Sequence, residues 1–222
     1  MLCYGPLVSE TTPPTLSEIT TATLAHYQSS AEGFWLGTKD HDVSQNINAL
    51  LAALPGDGPF RILDFGCGPG RDLMAMVELG HHPVGLDGAL AFVEMARRIA
   101  GVEVYHQNFL ELDLPEAHFD GVFANASLFH VPKSELVRVL SELRRCLRPG
   151  GVLFASNPRG DNREGWNGSR FGAYHDEAAW QDFTARAGFE EIDRYYRPPG
   201  LPRDQQPWLA TVLRNPSETD RE

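Results

Sequence analysis

The stretch Phe60-Arg61-Ile62-Leu63-Asp64-Phe65-Gly66-Cys67-Gly68-Pro69-Gly70-Arg71-Asp72 constrains the fold more than any other. An apolar run reaches an acid, breaks into glycines and gives way to a helical pattern from Leu73. That order reads as a strand, a tight turn and a helix N-terminus. Glycines in such a turn permit positive φ and let the backbone approach a ligand. The free N–H groups of the turn and of the first helical turn suit a negatively charged group. The spacing is G-x-G-x-G, which differs from the G-x-G-x-x-G of dinucleotide folds and from the phosphate loop G-x-x-x-x-G-K-S/T. No Lys follows to hold phosphates. Asp64 at the strand end would repel a pyrophosphate and suits a cationic or amine-bearing ligand. A plain connection between strand and helix can also use glycines, but it explains neither the acid nor the whole string.

The rest of the chain narrows the class of partner. At 222 residues, one domain with its own core is the first expectation. A net charge of −11 leaves no basic stripe for nucleic acid. No apolar run is long enough for a membrane span, and Met1 is not followed by a secretory signal pattern. Cys3, Cys67 and Cys146 are few and odd in number, which fits a reducing, cytoplasmic setting rather than a disulfide framework. The expected partner is therefore a small molecule. No His/Cys/carboxylate spacing suggests a metal, and no G-x-S-x-G elbow is present.

Residues 1–16 read as a flexible arm and 214–222 as a flexible tail. Helical patterns run from Ser17 through Tyr27 and from Asp42 to Leu54, giving a helical region over 17–58 before the core at 59–213. Between the two helices, Phe34, Trp35, Asp40, His41, Asp42, Gln45 and Asn46 crowd together. Asp42 can cap the second helix, and Val43, Ile47 and Leu50 can form its buried stripe. The crowding also fits a site wall. After the glycine turn come a helix to Leu79, a strand over 83–88, a helix over 89–100 and a strand over 102–106. Asp87 ends the second strand about 20 residues past the turn, where an acid can accept from both hydroxyls of a ribose. It can also cap the next helix; the ribose is the preferred reading. A strand over 118–124, a helix over 134–147 with Ser134 as cap, and a strand over 152–156 complete a parallel α/β pattern. Residues 157–174 read as a long polar loop whose Arg159, Trp166, Arg170 and Tyr174 fit a substrate wall. A helix from His175-Asp176 to Ala187, a strand over 192–196, a Pro-rich loop and an antiparallel strand over 208–213 follow.

Asp64-x-Gly66-x-Gly68-x-Gly70 resembles motif I of class I S-adenosylmethionine-dependent methyltransferases. Phe119-Asp120-Gly121-Val122 resembles the stretch before that class's fourth motif, and Leu147-Arg148-Pro149-Gly150-Gly151-Val152-Leu153 its usual turn into the fifth strand. The resemblance implies a Rossmann-like sheet of seven mostly parallel strands, helices on both faces and an N-terminal helical lid. It implies S-adenosylmethionine as cofactor and S-adenosylhomocysteine as product. Its methionine portion falls to Asp64, Gly66, Cys67, Gly68 and Gly70, its ribose to Asp87 and Gly88, and its adenine to Asn108 and Phe109. Asn108 stands where an Asp is common in the class, so the charge at the adenine amine is missing. Asn125 runs past the reactive sulfonium, and Tyr27 and Trp35 can close over the cofactor.

A narrower resemblance rests on Phe34-Trp35-x-Gly37-Thr38-x-Asp40-His41-Asp42-Val43-Ser44-Gln45-Asn46, on Asn125 to Pro132, on Ser156 to Gly160 and on Glu164 to Gly168. Ala173-Tyr174-His175-Asp176 and the segments Tyr196-Arg197-Pro198 and Gln206-Pro207-Trp208 add to it. These look like the methyltransferase module of ovothiol biosynthesis, which N-methylates the imidazole of 5-thiohistidine. That module is usually fused behind an iron-dependent sulfoxide synthase, so an upstream synthase or lyase is an expected partner. The chain itself shows nothing of a synthase, which leaves a free-standing enzyme or a cut-out module. The implied reaction is in-line displacement at the methyl by a ring nitrogen, with position as the main catalytic contribution. His130, Asp40 and His41 are candidates to fix the tautomer and take the ring proton, each with a structural alternative as wall or cap. Arg159 or Arg170 can hold the amino-acid carboxylate, and Asp42, Gln45 and Asn46 its ammonium. Phe34, Phe129, Asn157, Trp166 and Tyr174 complete the expected substrate contacts.

Overall fold

The computed structural model describes residues 14–217. Most of the expected arm and tail falls outside them. Helix α1, Leu16–Thr38, starts at a capping box: Glu18 N–H donates to Thr15 Oγ1 at 3.2 Å, and Thr15 N–H donates to Glu18 Oε2 at 2.8 Å. It does not stop near Tyr27 as the sequence pattern predicts. Tyr27, Ala31, Phe34 and Trp35 recur at helical spacing and pack against Ala89, Phe92 and Met95. That packing carries the helix through Gly33 and Gly37, whose low helix propensity argues for an earlier end. Helix α2, Ser44–Ala53, follows; its N-cap is Val43 and not Asp42 as expected, and Asp42 sits one residue earlier, accepting from Ser44 N–H at 2.9 Å.

The core then alternates strands and helices: β1 (Arg61–Phe65), α3 (Arg71–Glu78), β2 (His82–Asp87), α4 (Leu90–Ala100), β3 (Val104–His106) and β4 (Phe119–Asn125). Next come α5 (Leu136–Cys146), β5 (Leu147–Pro158), the hairpin strands β6 (Arg163–Asn167) and β7 (Arg170–Tyr174), α6 (Glu177–Arg186), β8 (Glu190–Arg197) and β9 (Trp208–Arg214). The sheet order is β3-β2-β1-β4-β5-β9-β8. Strands β1 to β5 pair in parallel and β9 is antiparallel to both neighbours. This is the seven-stranded Rossmann-like sheet that the sequence predicts, including its antiparallel insert.

Alternation along the strands sends side chains to two cores. Ile62, Phe123, Phe154 and Val212 meet Ile47, Leu50 and Leu54 of the α2 segment on one face. Leu63, Phe65, Val122, Leu153 and Leu213 meet Leu136, Leu140, Leu143, Trp180 and Phe183 of α5 and α6 on the other. Helices therefore cover both faces of the sheet. The expected loop over 157–174 is instead a two-stranded hairpin. Its β7 strand seats on α1, with Phe171 N–H donating to Thr23 Oγ1 at 3.0 Å. Gly165, Gly168 and Gly172 and the exposed residues of β6 leave no strand-like alternation in the sequence. Among the described residues, no helix is long and apolar enough to cross a membrane.

Candidate active site

The strand order reverses between β1 and β4, which opens a crevice beyond their carboxyl ends. A chamber of about 870 Å³ lies there. The turn 66–69 after β1, Asp87-Gly88 after β2, Asn125 to Ser127 after β4 and Ser156 of β5 line it from below. Thr23, Tyr27 and Phe34 of α1 roof it.

The glycine turn is pinned to β2, because Gly66 and Cys67 N–H both donate to Leu86 O, at 2.8 and 3.0 Å. Gly66 has φ +81, and a Cβ there would stand 2.4 Å from Ser127 Cβ. The position thus needs glycine for conformation and for space. Gly70, expected at the cofactor, is not in the lining. It has φ +101 at the head of α3, and a Cβ there would meet Ala96 Cα at 2.9 Å, so it lets α4 approach.

Asp87 lines the chamber and ties the glycine turn to the start of α4. One carboxylate oxygen accepts from Gly68 N–H at 3.0 Å, the other from Ala89 N–H at 2.9 Å. Burial raises its pKa to about 6, against the pull of these N–H groups. Each oxygen keeps a further lone pair for a ligand hydroxyl. Asn108 Oδ1 accepts from Leu110 N–H at 3.0 Å, which spends its acceptor on the loop and leaves its amide N–H groups for the chamber. Phe109 stacks on Phe65 at 4.2 Å and lines the same end.

Asp64 does not line the chamber. It is 2 % exposed beneath the turn, and its Oδ2 has no partner. Burial, with Asp72 nearby, holds its carboxyl well above the usual range. A raised carboxylate pKa favours folding below the unfolded value and loses that contribution as pH rises through the folded value. Asp64→Asn removes the titrating group and is therefore expected to stabilise the ligand-free protein at pH 8 by about 1–3 kcal/mol, since each pKa unit corresponds to about 1.4 kcal/mol. The gain should shrink toward pH 4. Thermal melts at the two pH values check this; an equal or larger gain at pH 4 would contradict it.

A chain of side chains braces the near wall. Arg71 donates from Nε to Asp72 Oδ1 at 2.6 Å and from Nη2 to Oδ2 at 2.9 Å. Asn125 Nδ2 donates to Asp72 Oδ2 at 3.3 Å, Asn46 Nδ2 to Asn125 Oδ1 at 2.9 Å, and Tyr195 Oη to Asn46 Oδ1 at 2.9 Å. Asn46 is fully buried in this chain, so it orients Asn125 and does not face a substrate.

The outer chamber is lined by Asp40, His41, Asp42, Phe129, His130 and Arg170, as expected. Both ring nitrogens of His130 are engaged in this structure, so the ring is held as part of the wall and has no free nitrogen facing the chamber. Nδ1 is 2.6 Å from Phe171 O and Nε2 is 2.7 Å from Tyr27 Oη. Burial lowers its pKa to about 4.

Other expected contacts are placed elsewhere. Trp35 is half-buried in the packing with α4, and Gln45 is exposed on α2. Asn157 is half-buried on β5 outside the lining. Arg159 Nη1 donates to Arg203 O at 3.0 Å and Gln206 O at 2.9 Å, so it braces the loop before β9. Trp166 is 45 % exposed on the hairpin against Phe171, and Tyr174 packs beside Phe129 without reaching the chamber.

In the sequence, Arg197, Pro198 and Trp208 serve only as carriers of the narrower resemblance and are given no place in the site; with Pro199 they line the outer chamber. They arrive there because β9 is antiparallel: its first residue, Trp208, pairs with Pro158 at the end of β5 and with Arg197 at the end of β8. Arg197 Nε is buried without a partner, and Nη2 makes one long hydrogen bond of 3.4 Å to Asp42 O. Among the described residues, neither Arg170 nor Arg197 has a carboxylate within 4 Å, and no cluster of three metal-ligating side chains exists.

These residues fit an adenosyl sulfonium. The backbone at Gly68 is open, with only a Phe34 ring carbon within reach of a Cβ placed there, at 3.7 Å. Asp87 offers lone pairs, Phe109 an aromatic face, and Ser127 Oγ is buried without a partner.

Residues 62–151 match the family model of the methyltransferase domain. The chain is 37 % identical over 112 residues to a trans-aconitate 2-methyltransferase of Azoarcus sp. strain BH72, covering half of this chain and 44 % of that protein. It is 32 % identical over 159 residues to the enzyme of the same name from Acidovorax sp. strain JS42, covering 66 % and 58 %. The chain spans about half the length of the curated relatives it matches. Its fold is shared with the 1,6-didemethyltoxoflavin-N1-methyltransferase of Burkholderia thailandensis, solved with bound 1,6-didemethyltoxoflavin and S-adenosylhomocysteine. That likeness has a TM-score of 0.72 at 23 % identity and covers 97 % of this chain and 94 % of that one. Turn, acid and sheet order agree with that match: residues 62–151 of this chain match a methyltransferase domain, set in a fold shared with a methyltransferase solved with S-adenosylhomocysteine.

Proposed function

We propose that the chain methylates a small zwitterionic acceptor, and that this acceptor is 5-thiohistidine, methylated on its imidazole. The observation that carries the reading is that Arg170 and Arg197 both line the chamber and, among the described residues, have no carboxylate partner within 4 Å. Asp40 and Asp42 line the same chamber, and Arg197 touches the Asp42 carbonyl. Lys39 pairs with Asp40 at 2.6 Å, but that pair is exposed and weak enough to yield. An α-carboxylate against the arginines and an α-ammonium against the acids would orient an imidazole toward the inner chamber.

S-adenosylmethionine supplies a methyl group already activated on sulfonium. Gly66 to Gly68 and Asp87 would hold it, Phe109 would pack on its base, and the α1 roof would keep water away. The acceptor nitrogen uses its own lone pair, so the protein's contribution is alignment. Alignment supplies up to about 7–11 kcal/mol in the best intramolecular cases.

A second reading draws on the relatives named for trans-aconitate methylation. The same arginines suit a polycarboxylate, with methyl transfer to oxygen. The deciding experiment incubates the protein with S-adenosylmethionine and either 5-thiohistidine, histidine or trans-aconitate, then measures S-adenosylhomocysteine and methylated product. Turnover of trans-aconitate without thiohistidine replaces the first reading by the second. Cofactor binding without turnover of any acceptor points to a regulatory module. In the active case, Arg197→Gln and Arg170→Gln should each raise the acceptor KM about 10- to 100-fold, the worth of a charge-assisted bond. Cofactor affinity should stay unchanged.

A further inference from the structure

The bonds around His130 have a fixed direction. Phe171 O is a carbonyl and only accepts, so the 2.6 Å contact places the proton on His130 Nδ1. Burial keeps the ring neutral at pH 7, so Nε2 carries a bare lone pair. Nε2 lies 2.7 Å from Tyr27 Oη, and that lone pair takes the single hydroxyl proton. Arg170 Nη1 donates to the same Tyr27 oxygen at 3.2 Å. One tyrosine lone pair is then left, on a residue that lines the chamber together with His130 and Arg170.

We propose that Tyr27 is an acceptor-only contact that holds the methyl acceptor by an N–H group, with His130 as the positioning residue that fixes its direction. The inference rests on the reading of the chamber as the site of transfer to nitrogen. A neutral imidazole has one N–H and one bare nitrogen. Held through its N–H, it keeps the bare nitrogen free to attack. When the methylated ring loses its remaining proton, it has no donor for Tyr27 and the contact is lost. A carboxylate offers no donor and gains nothing from Tyr27. The tyrosine therefore selects heteroaromatic N–H acceptors and decides which ring nitrogen faces the methyl group.

The test uses the protein saturated with S-adenosylhomocysteine and two probes, imidazole and 1-methylimidazole, titrated by NMR at pH 8.5. The wild-type protein should bind imidazole about tenfold tighter. Tyr27→Phe should bring the ratio near one. His130→Ala frees the tyrosine proton to turn into the chamber, where it can donate to the bare nitrogen both rings possess. In that variant 1-methylimidazole should bind tighter than it does to wild type, and His130→Phe, which removes the same ring nitrogen without opening a ring-sized cavity, should show the same gain. Nitrogen-15 shifts should report His130 protonated at Nδ1 and bare at Nε2. Equal affinities in wild type, no binding of either ring, an unchanged ratio in the variants, or the opposite tautomer each overturns the proposal. Thermal melts with S-adenosylhomocysteine confirm that the variants are folded. If the ratio behaves as stated while thiohistidine is not turned over, the substrate assignment fails and the role of Tyr27 stands. If thiohistidine is turned over and the ratio is flat, the reverse holds.

Discussion

Replacing Asp87 by alanine is expected to raise the dissociation constant for S-adenosylmethionine about 10- to 150-fold, a loss of about 1.5–3 kcal/mol. The carboxylate lies at the chamber floor with both oxygens accepting from backbone N–H groups, which fixes its remaining lone pairs in place. Alanine removes a charged acceptor and also unpins Gly68 at the centre of the turn. The effect on folding should be smaller, because two terms oppose. Gly68 and Ala89 N–H lose a partner, while a buried charge is removed. The raised pKa gives the sign for the second term: Asp87 favours the ligand-free fold below about pH 4 and loses that contribution as pH climbs through about 6. Binding has the opposite dependence, since the ligand needs the ionised form. Wild-type affinity should fall as pH drops below about 6, and the alanine variant should be flat across that range. Calorimetric titration at pH 7.5 and 5.5 measures both effects. An affinity unchanged within twofold in the variant would remove Asp87 from the cofactor site.

Gly66→Ala is expected to destabilise the protein by about 2–5 kcal/mol. A φ of +81 costs an L-residue about 1–2 kcal/mol, and overpacking adds about 1–3. The new methyl would stand 2.4 Å from Ser127 Cβ and 3.1 Å from the edge of the Phe109 ring. Both neighbours are held: Ser127 is buried after β4, and Phe109 is stacked on Phe65. Adding Ser127→Gly removes the shorter contact and leaves the backbone strain, so the double variant should recover about half of the loss. Urea denaturation of the three proteins measures this. A single variant within 0.5 kcal/mol of wild type, the usual range for neutral substitutions, would show that the turn can relax.

The two predictions rest on features of different legibility. The strand, the glycine turn and the acid of the second strand sit within 30 residues, and their geometry is a matter of local φ, hydrogen bonding and alternation. The order of the core elements is readable for the same reason, down to the antiparallel last strand. The extent of α1 was not readable, because its second half holds together by packing on α4 across more than fifty residues of chain. Nor was the hairpin over 163–174, whose strands close only against α1.

The chemistry of the outer chamber divides in the same way. Composition and motif alone give a site for an adenosyl sulfonium beside a polar wall rich in arginine. They do not say which arginine enters it. Arg159 and Arg197 are both candidates by type, and only the pairing of β9 with β5 and β8 turns Arg197 inward while the following loop binds Arg159. Likewise His130 reads as a base until Phe171 O and Tyr27 are found on its two nitrogens. What the sequence determined on its own was the part encoded by neighbours in the chain. The tertiary structure decided which long side chains face the ligand and in which protonation state, because those depend on contacts between residues about 40 to 150 positions apart.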